Sequence, residues 1–184
     1  MNGPPQIGKD TIARILIEHK PHVKSLTLSH EIRSMCAEFY NDSRFETHWD
    51  VQGWKDSHIE GLANGFSTPR QALIHFSERV IKPTEGQDYF AKHFAAQCKS
   101  YNNALMTDLG FQVEADALAD AMDLVIIVQL HHPDFNFDND SRQYITSSAS
   151  NVVTIEHHTK RENPQYEAGL ILDKIIDEVE SYFR

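Results

Sequence analysis

The chain has 184 residues, enough to bury a core of its own as one domain, and its 27 acidic against 17 basic side chains give a formal charge of −10. That balance excludes broad electrostatic adhesion to nucleic acid or to an anionic membrane, while leaving room for a local basic cleft. Two cysteines without metal-ligand spacing, no signal peptide and no apolar run near the ~20 residues of a membrane span point to a cytoplasmic protein without membrane contact.

The first predicted element is a loop. Gly3, Pro4, Pro5, Gln6, Ile7, Gly8 and Lys9 fit the pattern of a glycine, four residues and Gly-Lys that leads into a helix, here over 10–19 with Ile12, Ile15 and Leu16 at helical spacing. The glycines let backbone N–H groups turn inward on an anion, and the helix start adds unpaired donors and a positive dipole end. Lys9 supplies a point charge where β- and γ-phosphate oxygens of ATP would lie. A hydroxyl that holds Mg²⁺ ordinarily follows the lysine. Here Asp10 comes first and Thr11 second, so either Thr11 takes the metal one position late or Asp10 holds it through water. A buried strand of about five residues ordinarily precedes such a loop. Only Met1 and Asn2 do so here, and the expectation is a shortened or misassigned start.

A short strand over 23–28 follows, then a helix capped by Ser29 that runs to about 40 with Ile32, Met35, Cys36 and Phe39 on one face. Arg33 on this helix is a candidate acceptor ligand, against the simpler reading of an exposed arginine. Residues 41–67, with Trp49 and Trp54, read as a helical insertion covering the acceptor, its tryptophans either stacked on a base or simply buried. Thr68-Pro69 opens a helix with Leu73, Phe76 and Val80 as its stripe, ended by Pro83, and Arg70 in its first turn is the second candidate acceptor ligand. Asp88 opens the next, with Phe90 and Phe94 on one face.

Ala104-Leu105-Met106-Thr107-Asp108 is an apolar strand ending in a carboxylate, which emerges at the edge of a sheet where Mg²⁺ and the γ-phosphate would lie. After a turn at Gly110-Phe111 and a helix over 113–121, the β-branched run 124–128 reads as a strand of a parallel sheet buried on both faces. The polar stretch 131–144 is placed to be a lid, in which Arg142 either clamps the transferring phosphoryl group or pairs with Asp138 or Asp140. His131-His132 and His157-His158 have no third ligand at a recognised spacing and read as solvated loop histidines. A last strand over 152–156 precedes a helix over 166–183 with Leu170, Ile171, Leu172, Ile175, Ile176, Val179 and Phe183 as its core stripe. Strands separated by helices predict a three-layer α/β fold with a mostly parallel sheet.

Gly8-Lys9-Asp10-Thr11, then Thr107-Asp108-Leu109-Gly110-Phe111 with Glu114, and Asp140-Ser141-Arg142 together resemble the phage nucleotide-kinase branch of the P-loop kinases. The resemblance implies a P-loop kinase fold with an acceptor-side insertion and a lid, an ATP and Mg²⁺ requirement, and the host cytoplasm as location. Two relatives matter: phage 5-hydroxymethyluracil DNA kinases, which phosphorylate a base hydroxymethyl group during thymine hypermodification, and phage deoxynucleoside monophosphate kinases. The latter look as if they carry Asp-x-Arg at the strand end, whereas this chain has Asp108-Leu109-Gly110. A phosphate acceptor needs converging arginines, while a neutral hydroxyl benefits from a carboxylate base. The expected activity is therefore phosphorylation of 5-hydroxymethyluracil in DNA, through Lys9, Asp108 and Arg142, with Thr11, Asp10 or Asp108 on Mg²⁺. The alternatives are a deoxynucleoside monophosphate kinase and a nucleotide-binding module without catalysis.

Overall fold

Ile12, Ala13, Ile15 and Leu16 fall on one side of α1 (Lys9–His19) and are buried, which seats this helix in a hydrophobic core with Met1, Ile7, Val128 and Leu130. The computed structural model describes residues 1–184 except Asp50, Gln52 and Asn139, and shows a mixed α/β protein with two small parallel sheets. The chain divides into two compact units, Thr27–Phe94 and the remainder, Met1–Leu26 with Ala95–Arg184.

In the discontinuous unit, β1 (Lys24–Leu26) pairs in parallel with β2 (Ala104–Met106), Ser25 opposite Leu105. β3 (Val125–His131) pairs in parallel with β4 (Val152–His158), Val128 opposite Ile155. Met1 and Asn2 lie between the two sheets. The amino group of Met1 donates to Met106 O, Asn2 N donates to Val128 O and Leu130 N donates to Asn2 O, both at 2.9 Å. The period of two in β3 turns Val128 and Leu130 toward α1 and α8 (Pro164–Tyr182), where they pack with Ile7, Ala168 and Ile171. Gln129 points to the opposite face and donates to Ile145 O at 2.7 Å. α7 (Gln112–Ala121) follows the turn after β2.

The other unit starts with α2 (Leu28–Tyr40) and continues through α3 (Arg44–Thr47), turns at Trp54–Asp56 and Ala63–Gly65, and α4 (Pro69–His75). Its interior is aromatic: Phe45, Trp54 and Phe76 are buried, and Tyr40 touches Phe39, Phe45, Phe66 and Phe76 at centroid distances of 4.9 to 6.3 Å. α5 (Lys82–Glu85) follows a π-helical stretch, and α6 (Tyr89–Cys98) buries Phe90 and Phe94.

Several expectations are corrected. Thr27, not Ser29, stands at the N-cap of α2, whose buried residues are Leu28, Arg33, Cys36 and Ala37, leaving Phe39 53% exposed. Pro83 does not end its helix. The wider turns of Phe76–Ile81 come first, and Pro83 then falls in the first turn of α5, where a missing N–H is tolerated. The 41–67 stretch is mostly turns, with Trp54 buried; its Asp50 and Gln52, like Asn139 of 131–144, lie outside the described residues. The core stripe of α8 is shorter than expected. Ile171, Leu172 and Ile175 join the core, whereas Leu170, Ile176, Val179 and Phe183 are exposed. No described helix is long and apolar enough to cross a membrane.

Candidate phosphate-binding site

The 3–11 stretch folds as a loop closed on its lysine. Gly8, at φ +106°, takes a left-handed turn that a side chain would strain, and this turn launches α1. Pro4 and Ile7 are buried beneath the loop while Pro5 and Gln6 face outward. Lys9 Nζ folds back to donate to Gly3 O and to Pro4 O, each at 2.7 Å. Burial lowers Lys9 from its ordinary value to about 8; the charge of Arg142 acts in the same direction, and Asp10, Asp140 and Asp108 oppose it. Asp10 and Thr11 are exposed on the first turn of α1.

Three of the expected site residues, Asp10, Asp108 and Arg142, thus act on a fourth, Lys9. Of the two expected roles of Arg142, the structure bears on the pairing. It pairs with Asp140 in two parallel bonds, Nε to Oδ1 at 2.8 Å and a terminal nitrogen to Oδ2 at 2.6 Å, and the charges of Asp108 and Glu114 also reach it. The hydrogen bond from Arg142 holds Asp140 down at about 2.

Glu114, on the first turn of α7, reaches back to the strand-end turn, where its Oε2 accepts from Gly110 N at 2.8 Å and Phe111 N at 3.0 Å. Burial pushes this carboxyl up to about 7 against those bonds. Asn2, fully buried, ties two backbone segments together through its side chain. Its Nδ2 donates to Leu109 O and Gln143 O at 3.1 Å each, and its Oδ1 accepts from Ile145 N at 3.1 Å.

Beside the loop, a cavity of about 100 Å³ opens between Gly8, Thr11 and Ile12 on one side and Thr159, Arg161, Pro164 and Glu167 on the other. Arg161 lies over the ring of Phe135 at 4.4 Å. The expectation of solvated histidines fails at His157. Alternation along β4 buries it, and its Nε2 meets Glu167 Oε2 while Lys160 N donates to the other oxygen at 3.0 Å. Burial alone would raise Glu167, but these two bonds hold it below its ordinary value.

The two candidate acceptor arginines belong to the unit Thr27–Phe94. Arg33 is buried, against the reading of an exposed arginine, with its guanidinium over Trp49 at 5.4 Å and a terminal nitrogen 3.2 Å from His30 Nδ1. Arg70 pairs with Asp56 through two bonds, 2.5 and 3.2 Å. Burial pushes the Cys36 and Cys98 thiols up to about 12 and about 11, so neither is a thiolate at neutral pH. Among the described residues no cluster of three or more His, Cys, Asp or Glu is arranged to hold a metal alone. Mg²⁺ bound along with a triphosphate asks for only one or two protein oxygens, and Asp10, Thr11 and Asp108 are donors of that kind. Comparison of the chain with protein-family models, curated proteins and solved structures finds no match.

Proposed function

We propose that this protein is a P-loop phosphotransferase that moves the γ-phosphoryl group of ATP to a hydroxyl acceptor, the hydroxymethyl group of 5-hydroxymethyluracil in DNA. The observation that carries the reading is Lys9, held by Gly3 O and Pro4 O at the head of α1 and acted on by Asp108, Asp140 and Arg142. In this reading a triphosphate exchanges its oxygens for those two carbonyls, and the N–H groups of the loop and of the first turn of α1 bind the rest. The acceptor oxygen attacks the γ-phosphorus, its proton passes to Asp108, the bond to the β-phosphate oxygen breaks and ADP leaves. Arg142 neutralises charge on the equatorial oxygens. Mg²⁺, held by Thr11, Asp10 or Asp108, supplies charge neutralisation at the β- and γ-oxygens when bound. The cavity beside Thr11, with Ile7, Ile12 and Pro164 as apolar walls, suits the nucleoside part of the donor.

A three-layer P-loop kinase fold is part of the proposal. Reading across the described strands gives β1, β2, the Met1–Asn2 segment, β3 and β4, with the phosphate loop leaving the middle position. Ligands of open α/β sheets sit at such a central crevice. A hydroxyl acceptor is favoured because the strand end reads Asp108-Leu109-Gly110, without the arginine that would help hold a second phosphorylated substrate beside the first.

The test is transfer of labelled γ-phosphate from MgATP, in parallel, to DNA containing 5-hydroxymethyluracil and to free deoxynucleoside monophosphates. Label on the DNA alone is expected. Label on the mononucleotides alone replaces the acceptor, and ATP binding without transfer to either replaces the enzyme by a binding module.

A further inference from the structure

Three observations meet at Gly110, a residue with no part in the chemistry above. A Cβ placed there would lie 2.4 Å from Arg142 Cδ, 2.6 Å from its Cγ and 3.3 Å from its Cβ, so the arginine stem rests on bare backbone. The same peptide is held from the other side, because Gly110 N and Phe111 N both donate to the buried Glu114 carboxylate, at 2.8 and 3.0 Å. The chain neighbours of the two contacting residues are tied to one side chain. Asn2 donates to Leu109 O, next to Gly110, and to Gln143 O, next to Arg142. Asp140 then fixes the far end of Arg142 through two bonds.

We propose that Gly110 and Glu114 are positioning residues that form a seat for the Arg142 stem and so hold its guanidinium at one place relative to Asp108 and Lys9. The inference rests on the phosphotransferase reading. An arginine side chain has many rotamers, and a freely swinging one must lose them each time it meets a phosphoryl group. A stem packed on Gly110 has lost them before ATP arrives, which turns a recruited cation into a preorganised one. The seat works only with glycine at 110, because any larger residue fills the volume that the arginine needs. Glu114 matters by fixing where the Gly110 peptide lies. Its carboxylate also faces Arg142 and Asp108, so its charge and its geometry both bear on the same cation.

The experiment is a double-mutant cycle on the full chain, Gly110→Ala and Arg142→Ala singly and together, read by thermal unfolding and by MgATP-dependent transfer or hydrolysis. Gly110→Ala alone is expected to lower Tm by several degrees and to reduce kcat roughly a hundredfold, as a misplaced catalytic group does, with KM for MgATP nearly unchanged. In the Arg142→Ala background the same glycine change should shift Tm far less and change kcat by less than about twofold, since Cγ and Cδ, the two atoms nearest the added Cβ, are gone. Equal costs in the two backgrounds, or unaltered kcat in Gly110→Ala, overturn the seat. If Gly110→Ala does not fold, Glu114→Gln decides. It preserves shape, and kcat should fall in the Arg142 protein but not in the Arg142→Ala protein; a fall in both makes Glu114 merely structural. A wild-type chain that neither binds nor turns over MgATP overturns the phosphotransferase reading, while the Tm cycle still reports separately whether the stem rests on Gly110.

Discussion

The two compact units differ in what fills their interiors. In Thr27–Phe94 the pairs Arg70–Asp56, Lys82–Glu78 and Lys92–Asp88 stand at the surface, and the interior is a set of packed rings around Tyr40, Phe45 and Phe76. In the other unit Asn2, Lys9, Glu114 and Glu167 turn inward, and each meets a backbone carbonyl or N–H at a fixed place. An aromatic interior asks for volume and tolerates any residue that fills it. A buried polar network asks for particular atoms, and the loss of one leaves the others desolvated without partners. The difference sets what each interior tolerates on substitution.

The sharpest way to break that comparison is to replace Asn2 and Phe45 each by a similarly apolar residue. Asn2→Leu removes the partners of Leu109 O, Gln143 O and Ile145 N together, at about 1–3 kcal/mol for each buried group left unsatisfied. A total on the order of 4 kcal/mol is expected, as much as for Asn2→Ala. Phe45→Leu should cost only about 1.5 kcal/mol, although Phe45→Ala costs about 3–5 kcal/mol by leaving a cavity. Urea unfolding of the four variants gives the ordering. Asn2→Leu at the level of Phe45→Leu would mean that shape, not hydrogen bonding, is what position 2 supplies.

Glu114 gives a second, pH-dependent contrast. Its folded value of about 7 exceeds the ordinary 4.5, so between those values the native state binds more protons than the unfolded one. The neutral carboxyl therefore contributes stability that is complete below about pH 4.5 and lost as pH rises through about 7. Glu114→Gln cannot ionise. Its Tm relative to the parent should become more favourable from pH 5 to pH 8, by the equivalent of about 2–3 kcal/mol across the window. A difference that is flat with pH would show that the carboxyl ionises as freely in the fold as in water. Transfer activity should show the opposite slope, rising through pH 7 as the carboxylate facing Arg142 forms.

Lys9 tests the same idea through a ligand. With a value of about 8, much of it is neutral at pH 8.5, and phosphate oxygens replacing Gly3 O and Pro4 O should recharge it. MgATP binding at pH 8.5 is expected to take up about three-quarters of a proton, and almost none at pH 6.5, seen by calorimetry in buffers of different ionisation enthalpy. Lys9→Arg, charged throughout, should show no uptake at either pH.

Much of this candidate site was legible because its signals are local. The Gly3 to Lys9 loop, the apolar spacing of α1 and the β-branched run of β3 each lie within a few residues, and Asp108 follows the end of an apolar strand. The supports were not legible, because their partners are distant in sequence. Asn2 carries no pattern of its own and binds at positions 109, 143 and 145. His157 looked like half of a loop dipeptide until the alternation of β4 turned it onto Glu167, across the turn into α8. Pro83 misled for a related reason: a π-helical stretch before it can absorb a proline, and no residue type announces that stretch. Glu114 was visible as the glutamate after the Thr107 to Phe111 motif, but its reach back to Gly110 was not, because that depends on how the strand-end turn bends.

The smallest expected effect completes the contrast. Asp56 and Arg70 form two hydrogen bonds, yet their side chains are 55% and 49% exposed. Water screens such a pair, and ordering two long side chains opposes what attraction remains, so Asp56→Ala should change unfolding free energy by about 0.5 kcal/mol or less. Raising salt should erase even that. A larger, salt-resistant loss would show that this pair belongs with Asn2 and Glu114 as a positioned polar contact. Arg70 would then have a fixed location for Asp56 to maintain, and labelled-phosphate transfer by Asp56→Ala, measured against both acceptor sets, would reveal whether that location serves the acceptor.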